Sequence, residues 1–152
     1  MMDKVYRLYS SKRDEFATEA DALCTDIINT LGVKGLHKVK IYNRYDVQGI
    51  DAKVIDKIKG IIFSEPMVDD LFEQLPKEGD RILAVEYLPG QFDQRADSCE
   101  QCIQIYTTGL RPKVKSAKVY VFYGDISDLE YDKICDYLIN PVEAKKASMD
   151  MP

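Results

Sequence analysis

The sequence predicts an α+β fold in which two β-α-β-α-β halves, residues 4–76 and 80–150, form a pseudo-dimer within one chain, with an antiparallel sheet and packed helices. Three observations support this prediction. The same order of strand and helix patterns occurs twice, and the apolar positions of corresponding helices share one offset in residue number. Each half alone has about 75 residues, and two helices with a few strands of that size bury too little apolar surface to be stable.

The first half opens with a strand pattern over residues 5–9. Ser11, with an acidic residue three positions later at Asp14, resembles a capping box and predicts the start of a helix there. Gly32 suits the position just after the end of that helix. The apolar residues of the helix recur at a period of 3.6, at Phe16, Ala20, Leu23, Ile27 and Leu31.

The remainder of the first half repeats this alternation. Apolar residues alternate with lysines over 38–42, which predicts a half-buried strand. A second apolar stripe predicts a helix from Asp51 to about Phe63, which Pro66 ends. A short extended segment around residues 67–75 completes the half.

The second half follows the same order. Residues 82–88 and 114–123 read as strands, and Ser127 with Glu130 forms a capping box for a last helix that Pro141 ends. The helix between the two strands stops at Gly109. Its apolar stripe consists of Phe92, Ala96, Cys99, Ile103 and Tyr106.

A constant offset relates the helices of the two halves. Adding 76 to Phe16, Ala20, Leu23 and Ile27 gives Phe92, Ala96, Cys99 and Ile103. The same offset relates Ile58 to Ile134. The strands between these helices align at an offset nearer 78, with Ile41-Tyr42 against Val119-Tyr120, which predicts a small insertion. The shared offset and element order together favour a duplication.

Composition excludes several classes of protein. The chain has 152 residues, 45% hydrophobic and 31% charged, which is typical of a single globular domain. A net charge of −5 without a basic stripe argues against a nucleic-acid surface. No apolar run approaches the roughly 18 residues that span a bilayer, and the N-terminus lacks the apolar region of a signal peptide. We therefore expect a cytoplasmic protein with no membrane partner.

The cysteines and the single histidine offer weak candidates for chemistry. Cys99 and Cys102 form a C-x-x-C pattern, but it lies inside a helix rather than at its start, and Cys99 belongs to the apolar stripe. A structural zinc site needs four ligands, and the remaining Cys24, Cys135 and His37 are far apart in sequence. Core packing is the favoured interpretation, with thiol chemistry or a metal as alternatives. We expect no metal site, and His37 is expected on the surface.

A polar cluster precedes the C-x-x-C pattern. Gln91, Asp93, Arg95 and Asp97 follow the turn dipeptide Pro89-Gly90 at the start of a predicted helix. A carboxylate at this position interacts favourably with the helix dipole, whereas a cation in the first turn interacts unfavourably with it. An anionic partner for Arg95, either Asp97 or a carboxylate or phosphate elsewhere, would explain its position better. These four residues are the candidates for ligand or domain contact.

Five stretches of the sequence resemble the N-terminal segment of phosphoribosylformylglycinamidine synthase of the large type. The resemblance extends from about Lys4 to Met151 and is most specific in the string PGQFDQRADS. The stretches are YNRYDVQGI (42–50), FSEPMVDDLFEQLP (63–76), YLPGQFDQRADS (87–98), KVYVFYGDIS (118–127) and INPVEAKKAS (139–148).

The resemblance implies a role in purine biosynthesis. The family enzyme uses ATP and ammonia from glutamine to convert formylglycinamide ribonucleotide to its amidine, and its N-terminal domain is similar to a fused dimer of the small PurS subunit. Residues 1–152 would then be a single PurS-like domain of a longer enzyme, without catalytic residues or cofactors of its own. ATP and Mg are expected in the downstream synthetase domain.

The resemblance also implies the partners of the chain, which are the synthetase and glutaminase domains of the same enzyme. The implied role is to bridge them and to support ammonia transfer, with Gln91, Asp93, Arg95 and Asp97 at the domain interface or the approach to the substrate. Two other classes stay open. One is a free-standing ferredoxin-like module for assembly or ligand sensing, and the other is a thiol-redox or metal module at Cys99 and Cys102.

Overall fold

The computed structural model describes residues 4–62, 69–109 and 111–149, which form an α+β fold with a six-stranded antiparallel sheet and four α-helices. Strands and helices alternate in the order β-α-β-α-β in each half of the chain. The elements are β1 Tyr6–Lys12, α1 Thr18–Asp26, β2 Leu36–Gln48, α2 Ala52–Ile62, β3 Asp69–Phe72, β4 Arg81–Tyr87, α3 Gln94–Thr107, β5 Lys113–Gly124, α4 Asp128–Leu138 and β6 Ala144–Lys146. The α+β fold class predicted from the sequence is confirmed.

The sheet has the strand order β3-β1-β2-β5-β4-β6, and every neighbouring pair is antiparallel. The strands of the first half lie on one side of the β2–β5 pair and those of the second half on the other. Reading outward from this pair, each half places its second strand first, then its first strand, then its third. The two longest strands therefore join the halves at the centre of the sheet.

The strand register corrects the offset of 78 expected from the sequence. Leu8 lies opposite Tyr45 in the first half, and Leu83 lies opposite Tyr120 in the second, so these pairs correspond at an offset of 75. An offset of 78 would equate Ile41, which packs under the helices, with Val119, which packs on the opposite face. Because side chains alternate between the faces of a strand, an odd offset is needed to keep each residue on its own side.

The four helices cover one face of the sheet as two pairs. Helices α2 and α3 pack over one core cluster, which includes Ile58 and Ile103, and α1 and α4 pack over another, which includes Ile27 and Ile134. These four isoleucines are completely buried. Each cluster contains residues of both halves, so neither half holds a complete core of its own.

The opposite face of the sheet carries a third core cluster, which none of the helices in the described ranges covers. Tyr42 and Val119 are almost completely buried there. Leu75, after β3, and Ala147, after β6, pack against this cluster. The backbone N–H of Ala147 donates to the carbonyl of Ala84 at 2.8 Å, which holds the segment after β6 against the sheet.

The first helix begins later than the sequence predicts. Ser11 is a buried residue of β1 whose hydroxyl donates to the carbonyl of Ile41 at 3.1 Å, so it does not cap a helix. A turn of 3-10 helix at Asp14–Phe16 follows, and α1 starts at Thr18 without a side-chain cap. Pairing of β1 with both β2 and β3 takes precedence over the local capping pattern.

Other predicted boundaries are confirmed or only slightly shifted. The helix α1 continues through a wider helical turn at Ile27–Leu31 and ends at Gly32, which has φ +71° as a C-terminal glycine requires. Ser127 and Glu130 form the predicted capping box of α4. His37 is exposed, as expected, but lies within β2 rather than before it. Phe63 and Pro66 lie outside the described residues.

The predicted stripe of α3 is buried only in its middle. Ala96, Cys99 and Ile103 are buried, as expected. Phe92 precedes the helix and is 70% exposed, and Tyr106 is 49% exposed near its end. Within the described residues, no helix is both long enough and apolar enough to cross a bilayer.

Candidate binding site at the start of helix α3

The candidate residues lie on the connection from β4 to α3. Gly90 has φ +89°, a conformation that L side chains rarely adopt, and the N–H of Gln91 donates to the carbonyl of Leu88 at 3.0 Å to close the turn. Helix α3 then starts at Gln94. The turn dipeptide Pro89-Gly90 thus reverses the chain, so that α3 lies back over the sheet.

Asp93 links the start of α3 to the sheet. One carboxylate oxygen accepts the backbone N–H of Ala96 at 2.9 Å, which makes Asp93 the N-cap of the helix. The carboxylate also accepts from Ser116 of β5, from the backbone N–H at 2.9 Å and from the hydroxyl at 2.7 Å. Ser116 is buried, so these bonds satisfy polar groups that water cannot reach.

Asp97 is bound by side chains that do not belong to the four-residue polar cluster. It accepts from the side-chain amide of Gln101 at 2.7 Å and pairs with the guanidinium of Arg111 at 3.0 Å. Arg111 also pairs with Glu100 at 3.1 Å, and the second oxygen of Glu100 accepts the N–H of Val114 at 3.0 Å. This network ties the outer side of α3 to the start of β5.

Arg95 points to a different region from either aspartate. Its side chain is exposed, and its guanidinium donates to the hydroxyl of Tyr45 at 3.3 Å. Among the residues that the structure describes, no carboxylate forms an ion pair with it. The alternative in which Asp97 neutralises Arg95 is therefore wrong, because Asp97 pairs with Arg111.

Two clefts lie between the helices and the sheet, and Arg95 lines both. The α3 cleft, of about 680 Å³, lies beside α3 and β5, and its wall includes Lys118 and Tyr120. The α1 cleft, of about 670 Å³, lies beside α1 and β2, and its wall includes Glu19 and Asn43. Tyr45 and Ile62 line both clefts, so the two clefts are adjacent to each other.

The two clefts are formed by corresponding residues. Asn43 lies opposite Lys118 in the β2–β5 pair, and these residues differ by 75 in number, the strand offset found above. Tyr45 of the α1 cleft corresponds in the same way to Tyr120 of the α3 cleft. At the helix offset of 76, Glu19 corresponds to Arg95. The two clefts thus differ in the sign of charge at one equivalent position.

The four candidate residues divide among separate environments. Arg95 faces the clefts, whereas Gln91 and Asp93 line a smaller cavity of about 290 Å³ at the ends of β4 and β5. Asp97 lines none of these three cavities. The four residues are close in sequence, but their side chains do not form a single site.

Several residues of the α3 cleft were not identified from the sequence. Ser98 and Cys102 lie three and seven residues after Arg95, on the same side of α3, and both line the cleft. Helical spacing could have identified these two. Lys118 and Tyr120 come from β5, and only the antiparallel pairing of β4 with β5 brings them to α3.

The two cysteines of the C-x-x-C pattern lie in different environments. Burial raises the pKa of the Cys99 thiol to about 12, so this residue stays protonated at neutral pH. Cys102 is exposed, and neither residue is in a disulfide. Core packing is therefore confirmed for Cys99 but wrong for Cys102. Across the described ranges, no group of three or more Cys, His, Asp and Glu side chains is arranged to hold a metal ion.

The fold and the clefts define an α+β protein with a central antiparallel sheet and paired cavities under one helical layer. Comparison of the chain with models of known protein families, with curated proteins and with solved structures finds no match in any of the three.

Proposed function

We propose that the chain is the PurS-like N-terminal domain of a phosphoribosylformylglycinamidine synthase. The support comes from the sequence stretches that resemble this family over residues 4–151, and above all from the string PGQFDQRADS. This string forms the turn before α3 and the first turn and a half of the helix. It includes the one exposed guanidinium that lines both clefts, that of Arg95.

The symmetrical sheet order supports a fused pseudo-dimer. Each half places its strands in the same order outward from the β2–β5 pair. Asp51 and Ser127 differ by 76 in number, and each accepts the backbone N–H of the residue three positions later, at 3.0 and 3.1 Å, at the start of α2 and α4. Ile27 and Ile58 are fully buried, as are their counterparts Ile103 and Ile134. Caps, core positions and strand order thus recur together.

In this proposal the domain bridges the synthetase and glutaminase domains of a cytoplasmic enzyme and is not catalytic alone. ATP and Mg would bind in the synthetase domain. Ammonia released into water at neutral pH becomes mostly ammonium, which is not a nucleophile, so the two active sites need a sealed assembly between them. Each of the two core clusters under the helices contains residues of both halves, which suits an element that holds two domains at a fixed separation.

The observation that carries the proposed contact is the position of Arg95. It is exposed at the start of α3 and has no ion pair among the described residues, although an arginine in the first turn opposes the helix dipole. A carboxylate of another domain would provide an ion-pair partner for the Arg95 guanidinium. Asp93 supports this contact indirectly, because it fixes the helix start on β5.

The proposal is tested by isolating the native protein with an antibody against the chain and assaying it for glutamine- and ammonia-dependent amidation. We expect a species that contains synthetase and glutaminase domains and has both activities. In that protein, Arg95→Ala should lower the glutamine-dependent rate at least tenfold and the ammonia-dependent rate less, because the domain contact supports ammonia transfer.

The matched control is Lys133→Ala, which removes an exposed cation of α4 that lines neither cleft. It should leave both rates unchanged. A native species without amidation activity would refute the assignment to this enzyme. Unchanged rates in the Arg95→Ala protein would refute the role of Arg95 alone.

A further inference from the structure

We propose that the α3 cleft is itself a binding site for a small ligand with a phosphate or carboxylate group, which Arg95 and Lys118 bind. This inference goes beyond the proposed function, because it concerns a site formed by residues of this chain alone. It concerns the free chain, in which no carboxylate of another domain competes for Arg95.

The first argument comes from how the arginines are neutralised. Four of the six arginines pair with carboxylates: Arg7 with Asp46, Arg13 with Asp70, Arg81 with Asp128, and Arg111 with Asp97 and Glu100. Arg44 is buried and donates to the carbonyl of Ser148 at 2.9 Å. Arg95 alone is exposed on a cleft without an ion pair in the described part of the chain, and a guanidinium binds phosphate and carboxylate through two parallel hydrogen bonds.

The second cation of the cleft, Lys118, forms only an exposed ion pair. The ammonium of Lys118 lies 3.4 Å from both carboxylate oxygens of Glu19, and the two side chains are 39% and 67% exposed. Exposed ion pairs of this kind contribute little free energy. A ligand anion held by Arg95 can therefore also attract the ammonium of Lys118.

The cleft wall has two carboxylates, Glu86 and Glu143, and lysines outside the cleft neutralise the first of them. Glu86 pairs with Lys115 at 2.9 Å and with Lys145 at 3.7 Å. Glu143 is exposed on the segment that follows α4. Arg95 and Lys118 thus remain available for an anion that enters the cleft.

The remainder of the wall suits the body of a small molecule. Ser98, Gln94 and Asn140 offer hydrogen-bonding groups, and Val85, Tyr120 and Leu138 offer apolar surface. A volume of about 680 Å³ is within the usual range for small-molecule sites, roughly 300–1,000 Å³. Convergent polar groups beside apolar surface are typical of sites that orient a ligand.

The α1 cleft provides an internal comparison. It has similar volume and corresponding strands, and Arg95 also lines it, but Glu19 stands there at the position equivalent to that of Arg95 in the α3 cleft. A carboxylate at that position repels anions. Because the two clefts share Arg95 and Glu19 disfavours an anion in the α1 cleft, we expect a single anion site per chain, in the α3 cleft.

Titration calorimetry on the 152-residue chain tests this site. The probes are inorganic phosphate, AMP and citrate, with adenosine as the uncharged control. We expect one site per chain, tighter for an anionic probe than for adenosine, and at least tenfold weaker when NaCl rises from about 50 to about 300 mM, because the contact is ionic. Tighter binding of AMP identifies a phosphate ligand, and tighter binding of citrate identifies a carboxylate ligand.

Three variants assign the site to the cleft. Arg95→Ala should weaken the best probe at least tenfold, Lys118→Gln should weaken it severalfold, and Glu19→Gln should strengthen it, because Lys118 then loses its competing carboxylate. Lys133→Ala is the control, with no change expected. Circular dichroism confirms that each variant is folded.

Either of two results would overturn the inference. One is that none of the anionic probes binds the folded chain more tightly than adenosine does. The other is that Arg95→Ala binds the best probe as tightly as the unsubstituted chain. Neither result bears on the domain proposal, which is measured by the amidation rates of the larger protein.

Discussion

Neighbouring residues of the 91–97 stretch have unrelated tasks. Asp93 accepts three hydrogen bonds from Ala96 and Ser116, so it fixes where α3 starts and how the helix sits on β5. Arg95, two residues later, faces the clefts, and its guanidinium donates to the hydroxyl of Tyr45. Asp97 belongs to an ion-pair network with Arg111. A helix turns about 100° per residue, so positions two apart point in nearly opposite directions.

At the same scale, the four cysteines should differ sharply in reactivity. Burial raises the pKa of Cys24, Cys99 and Cys135, to about 12 for Cys99, whereas Cys102 is exposed. The thiolate is the reactive form, so a raised pKa reduces the reactive fraction at pH 8. Labelling with a maleimide, followed by mass spectrometry, should show one rapid modification, at Cys102.

Cys102→Ser is the control for this labelling, and it should remove the rapid phase entirely. The other three thiols should then react only as the chain unfolds. Rapid labelling of Cys99 together with Cys102 would contradict the burial of Cys99 and would reopen the thiol-redox interpretation.

At the scale of elements, helix caps separate local from tertiary stabilisation. Ser127 caps α4 in a capping box with Glu130, and its side chain has no hydrogen bond to the sheet among the residues that the structure describes, whereas Asp93 both caps α3 and accepts from Ser116. Ser127→Ala should therefore lower the free energy of unfolding by about 1 kcal/mol.

Asp93→Ala should cost more, about 2–4 kcal/mol, because it also leaves the buried N–H and hydroxyl of Ser116 without their acceptor. Urea unfolding followed by circular dichroism measures both values. Equal losses in the two variants would mean that the bonds to Ser116 contribute nothing beyond the cap.

At the scale of the whole molecule, the two halves should unfold together. Ile58 and Ile134 lie in different halves and different core clusters, and each cluster contains residues of both halves. Ile58→Ala and Ile134→Ala should each lower the free energy of unfolding by about 2–5 kcal/mol, and each variant should retain one transition.

Ile105→Ala serves as the matched control, because Ile105 is 79% exposed on α3 and its truncation should change the free energy by less than about 0.5 kcal/mol. Tryptophan is absent, so tyrosine fluorescence and circular dichroism report the transition. Two separate transitions in either isoleucine variant would show that the halves are independent domains.

Local patterns in the sequence predicted most elements, and they failed where pairing between strands took precedence. The period of the apolar residues predicted α1, α2 and α3, and Ser127 with Glu130 predicted the start of α4. Ser11 had a similar local signature, but it lies in β1, between two paired strands. A capping pattern describes what a residue can do at a helix start, and strand pairing decides whether a helix starts there.

The sequence by itself determined the alternation of strands and helices, the α+β class and the correspondence of the helices, because the period of apolar residues reports which side of each element is buried. The sequence did not determine which other element the buried side packs against. Only the tertiary structure decided that α1 packs with α4 and α2 with α3, that the strands correspond at an offset of 75, and that Lys118 and Tyr120 line one cleft together with Arg95. The physical reason is that these contacts join residues distant in sequence, and their geometry follows from strand register and helix packing rather than from any local pattern.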